Sequence, residues 1–487
     1  MPDREVARLE SLRPGQRDGS PSGGAAPADP SYLELTELAA LIRTREISPV
    51  AATRAQLDRI AALDGAFHSY ALVTADSAMA QAEAAEADIA AGRYRGPLHG
   101  VPVAVEDLFW AEGIPTAAGT AIHRDHRPAE DATAVRRLKD AGAVLLGKLQ
   151  TTEGACPDHH PTVTPPRSPW SADHRPDISS SGPGVAIATG LCYGALASDT
   201  GGSIRWPAAA NGLTGLKPSW GRISRHGVLA LAPTLDHIGP MARSTADIAV
   251  MLGAVAGADP ADPTALLAPV PYCLTTMGRG VQGLRIGVDP AWNGDGVDAA
   301  TRAVLADAAT VFDGLGAEIV EVRCPDVTQP VADWSATCAV EAAVTLADTY
   351  PARKDEYGPA LASVIEAGRA LSGVDHQRIL LRRQDLRGRF AALFGAVDML
   401  LTPVRPTVIR APGGQPERIA GLQRYTCPFN LTGQPAITLP GGVSEAGLPI
   451  GFQLVAAHLG EMTLLRAGAV FQTVTSWHRR HPTLPQG

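Results

Sequence analysis

Hydrophobic positions along the chain alternate between the spacing of an α-helix and the continuous runs of a buried strand. After Ser48 and Pro49, a typical N-cap and first helical residue, apolar side chains recur at helical intervals. The predicted face of this helix consists of Val50, Thr53, Leu57 and Ile60. The alanine-rich stretch 75–92 also predicts a helix, which ends at Gly92.

Short apolar runs between the predicted helices indicate strands. The run 101–105, VPVAV, predicts a buried strand with Glu106 at its carboxyl end. The stretch 131–148 predicts a helix, a glycine stop and a strand, and the stretch 298–322 repeats this order. The face of the second of these helices consists of Val304, Ala308, Val311 and Leu315. This alternation predicts an α/β fold with one large sheet.

Composition narrows the classes of function. The 487 residues are 45% hydrophobic and 19% charged, as in ordinary globular proteins. Because the net charge is −8 and no basic stripe is present, we expect a small-molecule substrate and no nucleic acid as partner. No segment approaches the roughly 20 apolar residues of a membrane span, so we expect a cytoplasmic protein without a membrane partner. A homodimer is left open.

The amino-terminal segment differs in composition from the rest of the chain. Residues 1–30 drift into Gly, Ser, Pro and Ala and contain no apolar core of signal-peptide length, which predicts a mobile tail. Residues 31–487 are then predicted to form one domain. The six cysteines form no CxxC pair, which favours reduced, mostly buried thiols, and we expect neither a metal nor a cofactor.

The stretch ASDTGGSIR places a serine directly behind two glycines. Gly201 and Gly202 let the backbone adopt unusual turns and come close to a ligand. Successive N–H groups from Thr200 to Ser203 can then converge on an oxyanion while the Ser203 hydroxyl attacks a carbonyl carbon. The pattern predicts acyl transfer, with Thr200, Gly201 and Gly202 as the oxyanion hole. The alternative is a glycine turn without chemistry, which is commoner for an isolated Gly-Gly-Ser.

Several long motifs resemble the amidase signature family. They are SSSGPGVAIATG, ASDTGGSIRWPAAANGLTGLKPSWGRIS, GVLALAPTLDHIGPMARS, YTCPFNLTGQPAITLPGG and GLPIGFQLV. The resemblance covers about residues 31–475 and implies a single α/β/α domain around a large mixed β-sheet. It also implies a Ser–cis-Ser–Lys triad that hydrolyses amides through an acyl-enzyme. On that pattern Ser203 matches the nucleophile, and Ser179 matches the middle serine, whose peptide bond is cis in the family.

The third member of the triad departs from the family. The family has Lys followed by Asp after this strand, whereas this chain has Glu106 followed by Asp107. A neutral lysine accepts the serine's proton and then attracts the oxyanion as an ammonium, but a carboxylate becomes neutral and gives no such attraction. Glu106 is also a weak base at its usual pKa, although burial can raise that pKa.

The loop around the middle serine departs as well. Asp177 and Ile178 stand where the family has two glycines, Ser181 replaces another glycine, and Pro183 replaces a serine and removes one N–H group. These side chains predict a reshaped pocket. The segment 334–357 and the loop 402–414 are candidates for the substrate pocket.

Other charged residues near the motif are expected to be structural. Asp199 and Arg205 flank the nucleophile and are expected to support its loop by hydrogen bonds, and Asp107 is expected to be a further supporting residue. Lys148 is expected to form a structural ion pair, because the family has a lysine at the matching place.

Three functions remain open. The first is a serine acyl hydrolase or acyl transferase that uses Glu106 as a carboxylate base through Ser179 on a small amide or ester. The second is a non-hydrolytic homologue that binds a small carbonyl ligand. The third is an inactive homologue that serves in an assembly with other chains. A related alternative is the A-type chain of a glutamine amidotransferase, which the missing lysine disfavours.

Overall fold

A computed structural model of the protein describes residues 29–407 and 423–484. The predicted tail lies outside the described residues except for Asp29 and Pro30. Asp29 accepts a hydrogen bond from the Ser31 N–H at 3.0 Å and caps a short 3₁₀ helix that begins at Pro30. The domain bounds 31–487 stay a prediction.

The strands and helices of the described residues follow the alternation that the sequence predicts. The strands are β1 Tyr70–Val73, β2 Pro102–Glu106, β3 Val144–Leu149, β4 Gly194–Asp199, β5 Thr214–Lys217, β6 His237–Ala242, β7 Arg285–Val288, β8 Glu318–Glu321, β9 Met399–Pro403, β10 Ala436–Val443 and β11 Pro449–Ala456. The helices are α1 Leu35–Arg43, α2 Pro49–Phe67, α3 Ala75–Ala90, α4 Thr133–Asp140, α5 Ser181–Ala188, α6 Arg205–Asn211, α7 Thr245–Val255, α8 Cys273–Thr276, α9 Pro290–Gly294, α10 Ala299–Gly314, α11 Thr328–Thr345, α12 Pro359–Ala370, α13 Gly373–Ala396, α14 Cys427–Thr432 and α15 Glu461–Val474.

One mixed sheet of 11 strands runs through the described part of the chain, in the order β1-β3-β2-β4-β6-β5-β10-β11-β9-β7-β8. Strand β2 is parallel to β3 and β4, and β7 is parallel to β8 and β9. The other neighbours are antiparallel. The predicted α/β fold around a large mixed sheet is confirmed, as are both predicted helix–strand units.

Helices cover both faces of the sheet. Successive residues of a strand point to opposite faces, so neighbouring residues pack against different helices. Val103 and Leu196 lie in one core cluster together with residues of α7. Ala104 and Ala197 lie in another cluster together with residues of α5 and α6. The central strands are therefore buried on both faces, which explains why their sequences are continuous apolar runs.

The predicted helices form, but two apolar faces differ from the prediction. Four predicted face residues are only partly buried: Val50, Leu57, Val311 and Leu315. In α10, Leu305 and Phe312 lie in the core instead. Both helices carry overlapping apolar stripes at helical spacing, and contact with the sheet selects the stripe that is buried.

The sheet brings two predicted site residues to one edge. Strands β2 and β4 are adjacent and parallel, so Glu106 and Asp199, each the last residue of its strand, lie at the same end. Their side chains are fully buried. Within residues 29–407 and 423–484, no helix is both long enough and apolar enough to cross a membrane.

Candidate functional site

The loop that carries Ser203 connects β4 to α6. A buried ion pair between Asp199 and Arg205, the residues on either side of this loop, holds its two ends together. The Arg205 guanidinium donates from Nε and Nη2 to the two carboxylate oxygens of Asp199, each at 2.9 Å. Asp199 also accepts from the Ile204 N–H at 3.2 Å. Asp199 and Arg205 thus form hydrogen bonds to each other and to the loop that carries Ser203.

Two hydrogen bonds fix the direction of the peptide groups before Ser203. The Trp334 indole N–H donates to the Thr200 carbonyl at 2.8 Å, and the Thr426 hydroxyl donates to the Gly201 carbonyl at 2.5 Å. In a trans peptide the N–H points opposite to the C=O, so the N–H groups of Gly201 and Gly202 face away from these donors. Within the described residues, neither N–H group donates to a protein acceptor.

The two glycines are required by close packing against aromatic rings. A Cβ atom at Gly201 would lie 2.3 Å from Trp334 Cζ2, and one at Gly202 would lie 2.5 Å from Trp206 Cε2. Gly202 also has a φ of +146°, which disfavours any other residue. The loop can therefore lie between the two indoles only with glycine at both positions.

Two adjacent serines lie next to the loop. The Ile178–Ser179 peptide bond is cis, as the resemblance implied. Ser179 Oγ is buried and makes no hydrogen bond within the described residues. Ser180 Oγ lies 3.1 Å from both Glu106 Oε2 and the Ser198 carbonyl oxygen. The neighbouring serine whose hydroxyl bonds to Glu106 is thus Ser180 and not Ser179, and Ser180 is a residue that the sequence analysis did not single out.

Glu106 lies in a buried polar cluster and has no cationic partner among the residues that the structure describes. Its Oε2 accepts from the Ser198 N–H at 2.7 Å, whereas Oε1 makes no hydrogen bond in the described part of the chain. Burial raises the pKa of Glu106 to about 7. Hydrogen bonds from the surrounding hydroxyl and backbone N–H groups lower the pKa, but burial has the larger effect. The carboxyl group can therefore gain or lose a proton near neutral pH.

The next residue, Asp107, has a partner of opposite charge. Lys148 Nζ donates to Asp107 Oδ1 at 3.0 Å and to Thr116 Oγ1 at 2.8 Å. Asp107 also accepts from the Ala117 N–H at 3.1 Å. Lys148 thus forms a buried ion pair, as predicted, and its ammonium group donates to Asp107 and Thr116 rather than to Glu106.

The altered loop residues form contacts that glycine could not make. Asp177 has a φ of +66° and lies 3.0 Å from Arg405 Nη1 in a buried ion pair. Ile178 contributes to the wall of the cavity above Ser203. Pro183 lies in the first turn of α5, where its missing N–H group breaks no helical hydrogen bond.

A cavity of about 300 Å³ opens above Ser203. Its floor includes Ser179, Ser203 and Gly201, and its walls include Trp206 and Trp334. Four residues of the predicted pocket segment 334–357 contribute to the wall: Trp334, Ser335, Cys338 and Ala339. The other predicted pocket segment, the loop 402–414, lies outside the described residues from 408 onward, and its described part does not line this cavity.

A second cavity of about 280 Å³ lies on the other side of Thr200. It contains charged residues, Arg225, Asp236 and Asp262, and does not include Ser203. The Thr200 hydroxyl donates to Asp236 at 2.6 Å, and burial raises the pKa of Asp236 to about 6. Among the described residues, no group of three or more His, Cys, Asp or Glu side chains is arranged to hold a metal ion.

Sequence reasoning missed the residues that position the loop from a distance. Trp334 and Thr426 lie far from Ser203 in the chain, and no local motif connects their side chains to the carbonyl groups that they bind. Ser180 has a local signal, because it follows the middle serine and lies at the start of α5. Its contact with Glu106 joins the start of α5 to the end of β2, which lie 74 residues apart in the chain.

The chain is similar in sequence to amidases and to an amidotransferase chain. The amidase family model matches residues 51–465. The chain is 46% identical to the candidate amidase AmiD of Mycobacterium tuberculosis over 459 residues, which are 93% of this chain and 96% of that protein. It is 38% identical to the A-type chain of the glutamyl-tRNA(Gln) amidotransferase from a Geobacter species over 481 residues, which are 93% of this chain and 99% of that protein.

Solved structures agree with these sequence matches. A protein from a vestigial complex that reveals the origins of an s-triazine catabolic enzyme superposes with a TM-score of 0.86 at 33% identity. The superposition covers 91% of this chain and 98% of that one. The substrate complex of 6-aminohexanoate cyclic dimer hydrolase has a TM-score of 0.84 at 27% identity, with coverage of 93% and 99%.

Proposed function

Because the chain belongs to the amidase family, we propose that it is a serine acyl hydrolase or acyl transferase that attacks the carbonyl group of a small amide or ester with Ser203. One observation carries this proposal. Ser203 and Gly201 line the same cavity, and the N–H groups of Gly201 and Gly202 have no protein acceptor among the described residues. Such preorganised donors stabilise the oxyanion of an acyl-transfer transition state.

In the proposed reaction, Ser203 Oγ forms a bond to the carbonyl carbon and its proton leaves toward Glu106. The carbonyl oxygen becomes an oxyanion that the loop N–H groups stabilise. When the intermediate collapses, the bond to the amine or alcohol breaks and the leaving group takes the proton from Glu106. Water or another acceptor then releases the acyl group in the same way.

The proposed proton relay uses two buried atoms that lack partners. Ser179 Oγ and Glu106 Oε1 are both buried and make no hydrogen bond within the described residues, so they are not bonded to each other in this structure. The relay from Ser203 through Ser179 to Glu106 therefore requires these side chains to turn toward one another when substrate binds. Ser180 suits both charge states of this carboxyl group. Its hydroxyl donates to the carboxylate, and it donates to the Ser198 carbonyl when Glu106 is protonated.

The oxyanion in this proposal receives its stabilisation from the backbone. The described residues that line the cavity include no Lys, Arg or His, so the proposal assigns no cation to the oxyanion. Protonation of Glu106 removes the one unpaired negative charge of the cluster at the moment when the oxyanion forms. The negative charge of Glu106 is thus lost as the negative charge of the oxyanion forms, and the net charge of the site stays the same. The neutral carboxyl group of Glu106 does not itself attract the oxyanion.

A fluorophosphonate probe tests the proposal. We expect the probe to phosphonylate Ser203 with loss of fluoride, and peptide mass spectrometry to place the adduct there and not on Ser179 or Ser180. The test is made on the full chain at pH 8, where Glu106 is ionised. Absence of an adduct on Ser203, in protein whose circular dichroism is that of a folded α/β chain, would refute the proposed nucleophile.

Trp334 provides a test of the loop alignment. Trp334→Phe keeps an aromatic ring against Gly201 but removes the indole N–H that binds the Thr200 carbonyl. We expect the rate of Ser203 labelling to fall about tenfold, the value of one neutral hydrogen bond. Trp170→Phe is the matched control, because it removes an indole N–H from the Asn211 carbonyl outside this cavity. Equal labelling rates for the two variants would contradict the role of Trp334.

A second candidate function is ligand binding without turnover. It is favoured by the direction of Glu106, whose bonded oxygen contacts Ser180 and Ser198 rather than Ser179. If this function is correct, small amides will raise the melting temperature of the wild type and of Ser203→Ala equally, and no amine will be released. Release of amine by the wild type alone would exclude it.

A further inference from the structure

We infer that the cavity above Ser203 selects substrates whose acyl group is uncharged and predominantly apolar. This inference rests on the proposed function of Ser203 and names the class of substrate for the same site. The observation behind it is the chemistry of the cavity wall. None of the described residues that line this cavity is Asp, Glu, Lys, Arg or His.

The deep part of the cavity is apolar. Its wall is formed by Leu231, Cys338 and Ala339, with Cys156 on the neighbouring loop, and all four are buried. Burial raises the pKa of both thiols, so these cysteines remain protonated and behave as small apolar groups. An apolar acyl group gains free energy by leaving water for this wall, whereas a charged group would lose its hydration without a partner.

Apart from Ser179, Thr200 and Ser203 near the reacting carbonyl, the polar side chains that line the cavity lie at its mouth. Ser335 on α11 and Ser363 on α12 are exposed, and Gln423 is half-buried. The two helices pack closely at Gly368, where a Cβ atom would lie 1.9 Å from the Ala339 carbonyl oxygen. This close packing fixes the apolar wall below the mouth. Neutral hydrogen-bonding groups of a substrate are therefore expected at the entrance and not beside the reacting carbonyl.

Charges around the cavity argue against ionic substrates. No Lys, Arg or His among the described residues lines the cavity, so a substrate carboxylate would meet no cation at its wall. The carboxylate of Glu106 would also repel it. Charged side chains gather instead in the cavity behind Thr200, which does not reach Ser203. A free amino acid such as glutamine, with both an ammonium and a carboxylate group, does not fit the described wall.

Three probes of equal length test the inference on the full chain. Each carries the same fluorophosphonate group on an alkyl chain, which ends in a methyl, a carboxylate or an ammonium group. We expect the methyl-ended probe to label Ser203 about 100-fold faster than either charged probe, since the charged ends must be buried without partners. A charged probe that reacts as fast as the methyl-ended one would overturn the inference.

A variant of the wall shows whether the cavity causes the preference. Val364 is a half-buried wall residue on α12, from which a lysine side chain can reach water. We expect Val364→Lys to raise the labelling rate of the carboxylate probe, relative to the methyl-ended probe, about tenfold. Val364→Met, of similar length and uncharged, should leave this ratio at the wild-type value. The inference fails if both variants change the ratio equally.

Binding measurements separate the inference from the proposed function. If no probe labels Ser203, the proposed nucleophile is wrong, but calorimetry on Ser203→Ala still measures which ligands the cavity prefers. The ligands are hexanamide, its 6-amino derivative and its 6-carboxy derivative. Tighter binding of the neutral amide supports the inference whether or not the protein turns over. Equal or tighter binding of a charged amide overturns it.

Discussion

Replacing Glu106 by glutamine is expected to lower the rate at which Ser203 is acylated by a factor of about 10² to 10⁴, the usual contribution of a general base. Glutamine has the same shape and can still accept from the Ser198 N–H and the Ser180 hydroxyl. It cannot take up a proton at neutral pH. The measurement is the second-order rate constant for fluorophosphonate labelling, or kcat/KM once a substrate is known.

The same substitution is expected to change the pH dependence of the rate. Burial raises the pKa of Glu106 to about 7, so the carboxylate that acts as base is present above this pH. The labelling rate of the wild type should rise with pH through about 7 and then level off. The rise should be absent in Glu106→Gln. If both proteins show the same profile, another group is the base.

As pH rises, the free energy of unfolding of the wild type should fall while its labelling rate rises. An unfolded glutamate loses its proton near pH 4.5, whereas folded Glu106 keeps it until about pH 7. Between these values the folded state binds more protons, so the stability of the wild type falls as pH rises. The difference between the folded and unfolded pKa values of Glu106 corresponds to a loss of about 3 kcal/mol in the free energy of unfolding. Glu106→Gln lacks this loss, and its free energy of unfolding relative to the wild type should rise between pH 4.5 and 7.

Asp247 supplies a matched control for these experiments. Asp247 is also fully buried, and burial raises its pKa to about 7. Unlike Glu106, it caps α7 and accepts hydrogen bonds from Thr36 and Ser244. Asp247→Asn should leave the labelling rate and its pH profile unchanged. A rate loss as large as that of Glu106→Gln would mean that the Glu106 effect is a general consequence of altering a buried carboxyl group.

The sequence predicts the parts of this site that depend on local geometry. The apolar run before Glu106 and the two glycines before Ser203 identify a strand end and a tight loop, because strand burial and glycine conformation leave clear local signals. The cis bond at Ser179 followed from the family resemblance rather than from any property of residues 177–180.

The contacts that position the site depend on chain segments far apart in sequence, which no local pattern predicts. Trp334 reaches Thr200 because α11 packs over the end of β4, and Arg405 reaches Asp177 from the loop after β9. The partner of Glu106 could not be predicted either. The two adjacent serines differ in their contacts: the Ser180 hydroxyl bonds to Glu106 and to the Ser198 carbonyl, whereas Ser179 Oγ makes no hydrogen bond among the described residues.

Replacing Arg205 by methionine is expected to destabilise the protein by about 3–5 kcal/mol, because it leaves the Asp199 carboxylate buried without its partner. Burial opposes ionisation of Asp199, but the charge and hydrogen bonds of Arg205 outweigh burial and lower its pKa. Arg205 also donates to the Thr426 carbonyl at 3.1 Å and to Asn430 Oδ1 at 2.7 Å. The measurement is the free energy of unfolding in urea at pH 8.

Loss of Arg205 should also reduce Ser203 labelling under conditions where the variant is still folded. Thr426 connects the two effects, because its carbonyl binds Arg205 and its hydroxyl holds the Gly201 carbonyl. Removing the guanidinium frees this segment, so the loop N–H groups lose their common direction. The double variant Asp199→Leu/Arg205→Met removes the unpaired charge and should recover much of the stability but not the labelling. Recovery of both would mean that the ion pair supports the fold without aligning the loop.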